Sequence, residues 1–218
     1  MNKEERAEHL KQKLEAMLSY ERALWEKGTL YIGGVDEVGR GPLAGPVCAA
    51  CVVLPRDFDV VGVDDSKKLS EKKRERLFDD IIAAAKSWCI ASADAVEIDT
   101  LNILQASLLA MRRAVEGLSE TPGLLLVDGN ADPYAKVPAK IPVRTIVGGD
   151  AVSAAIAAAS ILAKVARDRH MLELAALYPR YRFEQHKGYP TKLHYEMLQI
   201  YGSSPVHRES FLRKWRSQ

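Results

Sequence analysis

Four carboxylates stand where apolar segments end. Asp36 and Glu37 close Leu30–Asp36 ahead of a glycine-rich turn, Asp128 closes Leu124–Val127, and Asp150 follows Val143–Val147 and two glycines. Sheet proteins collect their chemistry at such ends. Carboxylates gathered without Lys or Arg between them repel, and a hard cation relieves the repulsion. Mg²⁺ takes few protein oxygens and keeps several waters, which leaves positions open for a phosphate. Two such ions flanking a phosphodiester can activate a water and stabilise the leaving oxygen. Each acid also has a plainer reading: Asp150 as a helix N-cap, Asp128 as the turn residue of Asp-Gly-Asn, and Asp36-Glu37 as a solvated pair. The five histidines are scattered, with none at zinc spacing, and no Ser–His–Asp arrangement supports a covalent route. A glycoside-cleaving carboxylate pair would leave the glycine turn and the basic C-terminal third unexplained.

The elements that must position these acids follow from periodicity. Residues 3–27 carry Leu10, Leu14, Met17, Leu18 and Leu24 at helical intervals, an amphipathic helix ended near Gly28 and expected as a small appendage. A strand at Leu30–Asp36, the turn Gly39–Gly45 and a strand at Pro46–Leu54 come next. After a charged loop at Asp64–Lys68, Ser70 is the expected N-cap of a helix over Glu71–Lys86. Trp88–Ala95 reads as a third strand. Ile103–Leu118 reads as a helix with Leu104, Leu108, Met111 and Val115 on one stripe. Leu124–Val127 suits a strand buried on both faces, and Val143–Val147 is another. A long helix from about Ala151 to Leu177 leads into an aromatic segment and two short helices. This order predicts an α/β fold, a mixed sheet flanked by helices.

A chain of 218 residues with 47% apolar residues can build one substantial core, and its net charge of +2 neither demands nor excludes a nucleic acid. Between Lys164 and Arg216 eleven Lys and Arg face five acids, which reads as a phosphate-facing surface or as a solvated helical face. Cys48 and Cys51 lie an odd distance apart inside one apolar strand, so they point to opposite faces and read as buried thiols. Asp168 lies eighteen residues beyond Asp150. On a continuous helix that is about 27 Å, too far to share a metal, so Asp168, flanked by Arg167 and Arg169, is assigned to ion pairing. The N-terminus lacks a signal peptide's apolar core, and Ala154–Ala163 is about half a membrane span. The expectation is a cytoplasmic protein away from the membrane.

The run Gly34-Val35-Asp36-Glu37-Val38-Gly39-Arg40-Gly41-Pro42-Leu43-Ala44-Gly45-Pro46 closely resembles the type 2 ribonucleases H, in particular the bacterial ribonuclease HII family. The likeness continues through Asp65-Ser66-Lys67-Lys68-Leu69-Ser70, Asp128-Gly129-Asn130, Gly149-Asp150, Ala158–Val165 with Arg167-Asp168, His186-Lys187-Gly188-Tyr189 and His207-Arg208. It spans nearly everything from about residue 30 onward. The resemblance implies a ribonuclease-H-like, five-stranded mixed sheet with flanking helices and a helical C-terminal part. Residues 1–29 would then be an N-terminal helical extension and residues 30–218 the catalytic domain. No segment corresponds to the extra N-terminal domain expected of the sister ribonuclease HIII.

The same resemblance puts the family's four metal-site acids on Asp36, Glu37, Asp128 and Asp150, holding two Mg²⁺ or Mn²⁺ ions. It implies an endoribonuclease that cuts RNA in RNA–DNA hybrids and 5′ of single ribonucleotides in duplex DNA. The products would be a 3′-hydroxyl and a 5′-phosphate, and the biological setting ribonucleotide excision repair. The family's sugar-reading turn falls on Gly39, Arg40 and Gly41, where the 2′-hydroxyl separates RNA from DNA. Its junction-sensing tyrosine falls on Tyr189, which without the family reads as an ordinary loop aromatic. Lys67, Lys68, Lys164 and Lys187 are candidate phosphate contacts, each of which also reads as a surface lysine. The expected partners are RNA–DNA hybrid and ribonucleotide-containing duplex, met by a monomer. The alternative function is a non-catalytic hybrid-binding protein on the same fold.

Overall fold

Five apolar segments, β1 (Ile32–Val38), β2 (Val47–Val53), β3 (Ser87–Ala93), β4 (Leu124–Asp128) and β5 (Val143–Ile146), pair into one sheet in the order β3-β2-β1-β4-β5. The computed structural model describes residues 2–136 and 141–216. β1 runs antiparallel to β2 and parallel to β4, β3 is antiparallel to β2, and β5 is parallel to β4, so the sheet is mixed, as expected. Every residue of β2 is buried, which explains its unbroken apolar run.

Helices cover both faces. On one side α1 (Lys3–Glu26), α2 (Glu71–Ala84) and α5 (Ala154–Leu177) pack against Ile32, Ala50, Val52, Leu124 and Leu126. On the other, α3 (Ala95–Leu101) and α4 (Ile103–Glu116) enclose Val35, Ala49, Cys51, Leu125 and Val127. Residues 154–163 of α5 are all buried, so the first half of this helix, apolar but for Ser160, forms the middle of the molecule. Its small side chains are dictated by the sheet. A Cβ on Gly34 would come within 2.1 Å of the Ala155 carbonyl carbon, so strand and helix meet backbone to backbone. The C-terminal α6 (Phe183–His186), α7 (Lys192–Tyr201) and α8 (Glu209–Arg216) form a third cluster around Leu43, Ala44, Met171 and Phe183.

Several expectations need correction. The first helix is no appendage: Leu14, Met17, Leu18, Leu24 and Trp25 are buried in the α5-side core. α4 buries Ala106, Ala110, Met111, Ala114 and Val115, while Leu104 is 40% exposed, because its small residues let it approach the sheet closely. β3 stops at Ala93, where Asp94 and Glu97 form a capping box that starts α3, an element the sequence reading missed. The long helix is capped by Ser153, and Asp150 lies before it in a 3-10 turn, Gly149–Ala151. Among the described residues no helix is long and apolar enough to cross a membrane.

Candidate active site

β1 and β4 are neighbours with Val35 beside Val127, so the next residues, Asp36 and Asp128, emerge together at the C-terminal ends of adjacent parallel strands. β1 extends to Val38, so Glu37 lies within the strand rather than in the turn. Alternation sends Asp36 toward α5, where the Ser160 hydroxyl bonds it, and Glu37 toward a groove shared with Asp128, Leu104, Ser107 and Met111. Leu104 and Leu108 of the α4 stripe therefore line this groove, while Met111 and Val115 of the same stripe are buried in the core. The 3-10 turn delivers Asp150, and its Gly149 N–H donates to Asp128 Oδ1 at 2.7 Å. The Asp150 side chain faces Asp65, and burial and then that carboxyl push it above the usual range.

The acids perturb one another. Burial pushes Asp36 well above the usual carboxylate range, and Glu37 and Asp128 push it further. Glu37 is raised by burial against the opposing pull of Arg40, whose Nη1 lies 3.4 Å from Glu37 Oε1. Asp150 is raised by burial, then by Asp65 and Asp128, with the Lys67 ammonium working against them. Among the described residues no three His, Cys, Asp or Glu side chains already stand at metal-ligand spacing. The donor set still fits hard divalent cations. It is all oxygen, its charges are alike, and what surrounds Asp36 is burial, two acids and one serine hydroxyl.

The glycine turn follows directly. Gly39 has φ +93°, and a Cβ there would meet Arg167 Nε at 2.2 Å, so the protein itself requires this glycine. Gly41 is different: nothing lies within 4 Å of an added Cβ. The fold does not need a glycine at 41. Arg40 is half exposed. Arg208, fully buried, donates from Nη2 to Gly39 O, from Nη1 to Arg40 O and from Nε to Gly45 O. Leu43 N–H donates to Gly188 O at 2.8 Å, which sets the turn beside Tyr189, a residue 36% exposed.

The remaining expectations divide. Lys67 stands by Asp150, Lys68 lies 3.7 Å from Asp65, Lys187 Nζ donates to Glu184 O, and Lys164 is tied to Asp168 at 2.7 Å. Asp168 does pair, but with Lys164 and Arg74 rather than Arg167 and Arg169. The basic C-terminal third is largely satisfied internally: Arg167 and Arg208 are fully buried, and Arg169, Arg182 and Lys192 pair with Glu75, Glu184 and Glu196. The side chains of Lys214 and Arg216 lie outside the described residues. Cys48 and Cys51 are buried free thiols, and burial pushes Cys48 up to about 11. Sequence reasoning missed Asp65 as a member of the acid group, although the Asp65-Ser66-Lys67-Lys68 motif held the signal.

The ribonuclease HII family model matches residues 33–214, a span that contains all four acids and both turns. The chain belongs to the ribonuclease HII family. It is therefore an endoribonuclease of the ribonuclease H kind. It is 54% identical over 200 residues to ribonuclease HII of Desulfitobacterium hafniense, covering 92% of this chain and 75% of that one. It is 52% identical over 207 residues to ribonuclease HII of Bacillus cereus, covering 95% and 79%. Among solved structures, ribonuclease H2 of Pyrococcus horikoshii aligns with TM-score 0.69 and 28% identity over 83% of this chain and 93% of that one.

Proposed function

We propose that this ribonuclease cuts RNA in RNA–DNA hybrids and cuts 5′ of single ribonucleotides in duplex DNA, leaving a 3′-hydroxyl and a 5′-phosphate. Its biological work is then hybrid removal and the first step of ribonucleotide excision repair. The observation that carries the reading is the emergence of Asp36 and Asp128 side by side from adjacent parallel strands. Family membership supplies the reaction class.

In this reading Asp36, Glu37, Asp128 and Asp150 hold two Mg²⁺ or Mn²⁺ ions. When bound, the ions supply activation of the attacking water and stabilisation of the departing 3′-oxygen. Burial and the neighbouring acids disfavour the charged form of Asp36, a cost that a bound cation would offset. Asp128 is aimed by the Gly149 N–H, which occupies one lone pair of Oδ1. Lys67 and Arg40, at opposite ends of the acid group, can meet phosphates on either side of the scissile bond. Gly41 leaves open space where a sugar edge can approach the backbone, and Tyr189 offers its ring to the next, deoxy, sugar.

The test is a cleavage assay on a duplex bearing one ribonucleotide, with and without chelator, mapping the cut by product end groups. A cut on the 5′ side that vanishes with chelator is expected. Chelator-resistant cutting, or binding without product as a purely hybrid-binding protein would show, defeats the reading. Tyr189→Ala is expected to reduce cutting at the isolated ribonucleotide by about tenfold or more, in line with losing a stacked ring. Metal dependence should stay unaltered, and unchanged cutting would remove the ring from the site.

A further inference from the structure

Two arginines, Arg167 and Arg208, are fully buried, and each spends its guanidinium on three backbone carbonyls. The cost of burying an unpaired cation is large, so carbonyl dipoles must replace water around it. All three Arg208 acceptors (Gly39, Arg40 and Gly45) lie in the glycine turn. Arg167 is distributed differently. Its Nε donates to Pro46 O at 3.0 Å and Nη2 to Ala44 O at 3.3 Å, at the end of the glycine turn. Its Nη1 donates to Lys187 O at 3.1 Å, in the turn that carries Tyr189. The guanidinium carbon lies 5.6 Å from the Tyr189 ring centroid, and the side chain fills the space that a Cβ on Gly39 would need.

We propose that Arg167 is a positioning residue that couples the two substrate-reading turns, so that Tyr189 senses the deoxyribose only when Gly39–Gly41 is seated on the ribonucleotide. The inference rests on the substrate reading above. A planar fork held at three carbonyls transmits a shift of one turn to the other, because losing any one bond strands a buried cation. The Tyr189 ring, lying against the same guanidinium, moves with it. Lys187 and Gly188 both hold left-handed backbone, at φ +48° and +82°, so this turn relies on outside contacts for its shape.

The experiment is a double-mutant cycle on cleavage, reading the ratio of kcat/KM for a single ribonucleotide in DNA to that for a continuous RNA–DNA hybrid. Tyr189→Ala should lower this ratio about tenfold in the unsubstituted protein but less than about twofold in an Arg167→Met background. Arg208→Met is the control, since Arg208 is equally buried but holds one turn alone: there Tyr189→Ala should keep its full effect. Equal Tyr189→Ala effects in both arginine backgrounds would overturn the coupling. Arg167→Lys, which keeps the charge without the fork, should behave like Arg167→Met, and restoration of the ratio by Lys would also overturn it. Should both Arg167 variants fail to fold, hydrogen exchange on the Asp36→Asn protein bound to the single-ribonucleotide duplex decides. The Gly45 and Lys187 amides, which border the Ala44 and Lys187 carbonyls held by Arg167 and bond to Val206 O and Phe183 O rather than across the two turns, should slow together, and slowing at one alone refutes the proposal. If the unsubstituted protein does not cut the single-ribonucleotide duplex, the substrate reading has failed, and the exchange measurement made with a hybrid still tests Arg167.

Discussion

Asp36 pairs deep burial with two neighbouring acids, so its ionised form is disfavoured by folding and its carboxyl stays raised well above the usual range. A carboxyl raised in the folded state stabilises below its unfolded pKa, and the benefit is lost as pH rises through the folded value. At neutral pH, without cations, Asp36 is therefore a burden on the fold. Asp36→Asn should abolish cleavage yet raise the Tm of the metal-free protein, measured by thermal denaturation with chelator at pH 7.5. A lower Tm would show that the charge is not strained. The same linkage requires proton release on metal binding, seen as an apparent metal affinity that strengthens with pH in titration calorimetry. Much at this scale was legible, because acids at the ends of apolar runs need no three-dimensional information to be noticed. Asp65 escaped because the Asp65-Ser66-Lys67-Lys68 motif marks the residue but not its approach to Asp150, made from a distant loop that no spacing reveals.

Helix α1 shows what the element scale adds. Glu21 is completely buried, and its Oε1 accepts from Ser153 Oγ at 2.6 Å and from Ala155 N–H at 3.0 Å, while Oε2 has no partner among the described residues. The helix read as an appendage thus closes the N-terminal end of α5, three residues beyond Asp150. Burial holds Glu21 above the usual range, against the pull of those N–H and O–H donors. Glu21→Ala should destabilise by about 1–3 kcal/mol, the cost of orphaning buried donors. Glu21→Gln, which keeps the acceptor without the charge, should lose much less in urea denaturation. Equal losses would assign the effect to charge rather than capping. Amphipathic periodicity identified α1 and its buried leucines, but not that its partner lay more than a hundred residues away. On α4, Leu104 stays out of the core for a related reason. Leucine spacing marks an apolar face, while the alanines that let a helix approach a sheet carry little periodic signal.

Across the whole molecule, the C-terminal helices are fastened by three buried imidazoles. His207 Nδ1 accepts from Ser204 N–H, which leaves its Nε2 to donate to His194 Nε2 at 3.0 Å, and His194 Nδ1 then donates to Tyr189 O. His186 stacks on His194 at 4.3 Å between ring centroids. A further proton would set N–H against N–H, and burial pulls His194 and His207 down to about 4. A histidine lowered in the folded state stabilises above its unfolded pKa near 6.5, and the benefit fades as pH falls toward 4. Stability should drop by on the order of 3 kcal/mol for each histidine over that window, since each pKa unit is worth about 1.4 kcal/mol. Measuring in the Asp36→Asn protein removes the most strongly raised of the opposing carboxyls, ahead of Glu37, Asp150 and Glu21, and a Tm that does not fall from pH 6.5 to 4.5 would refute the network.

The contact between Gly34 and Ala155 has a consequence for how this protein can change over generations. Gly34 precedes Asp36 by two residues and Ala155 follows Asp150 by five, and main chain touches main chain where they cross. The gap between the strand bearing one acid and the helix following another contains no side chain that drift could enlarge or trim. Surrounding apolar residues can be exchanged, generation by generation, while this junction keeps the same gauge.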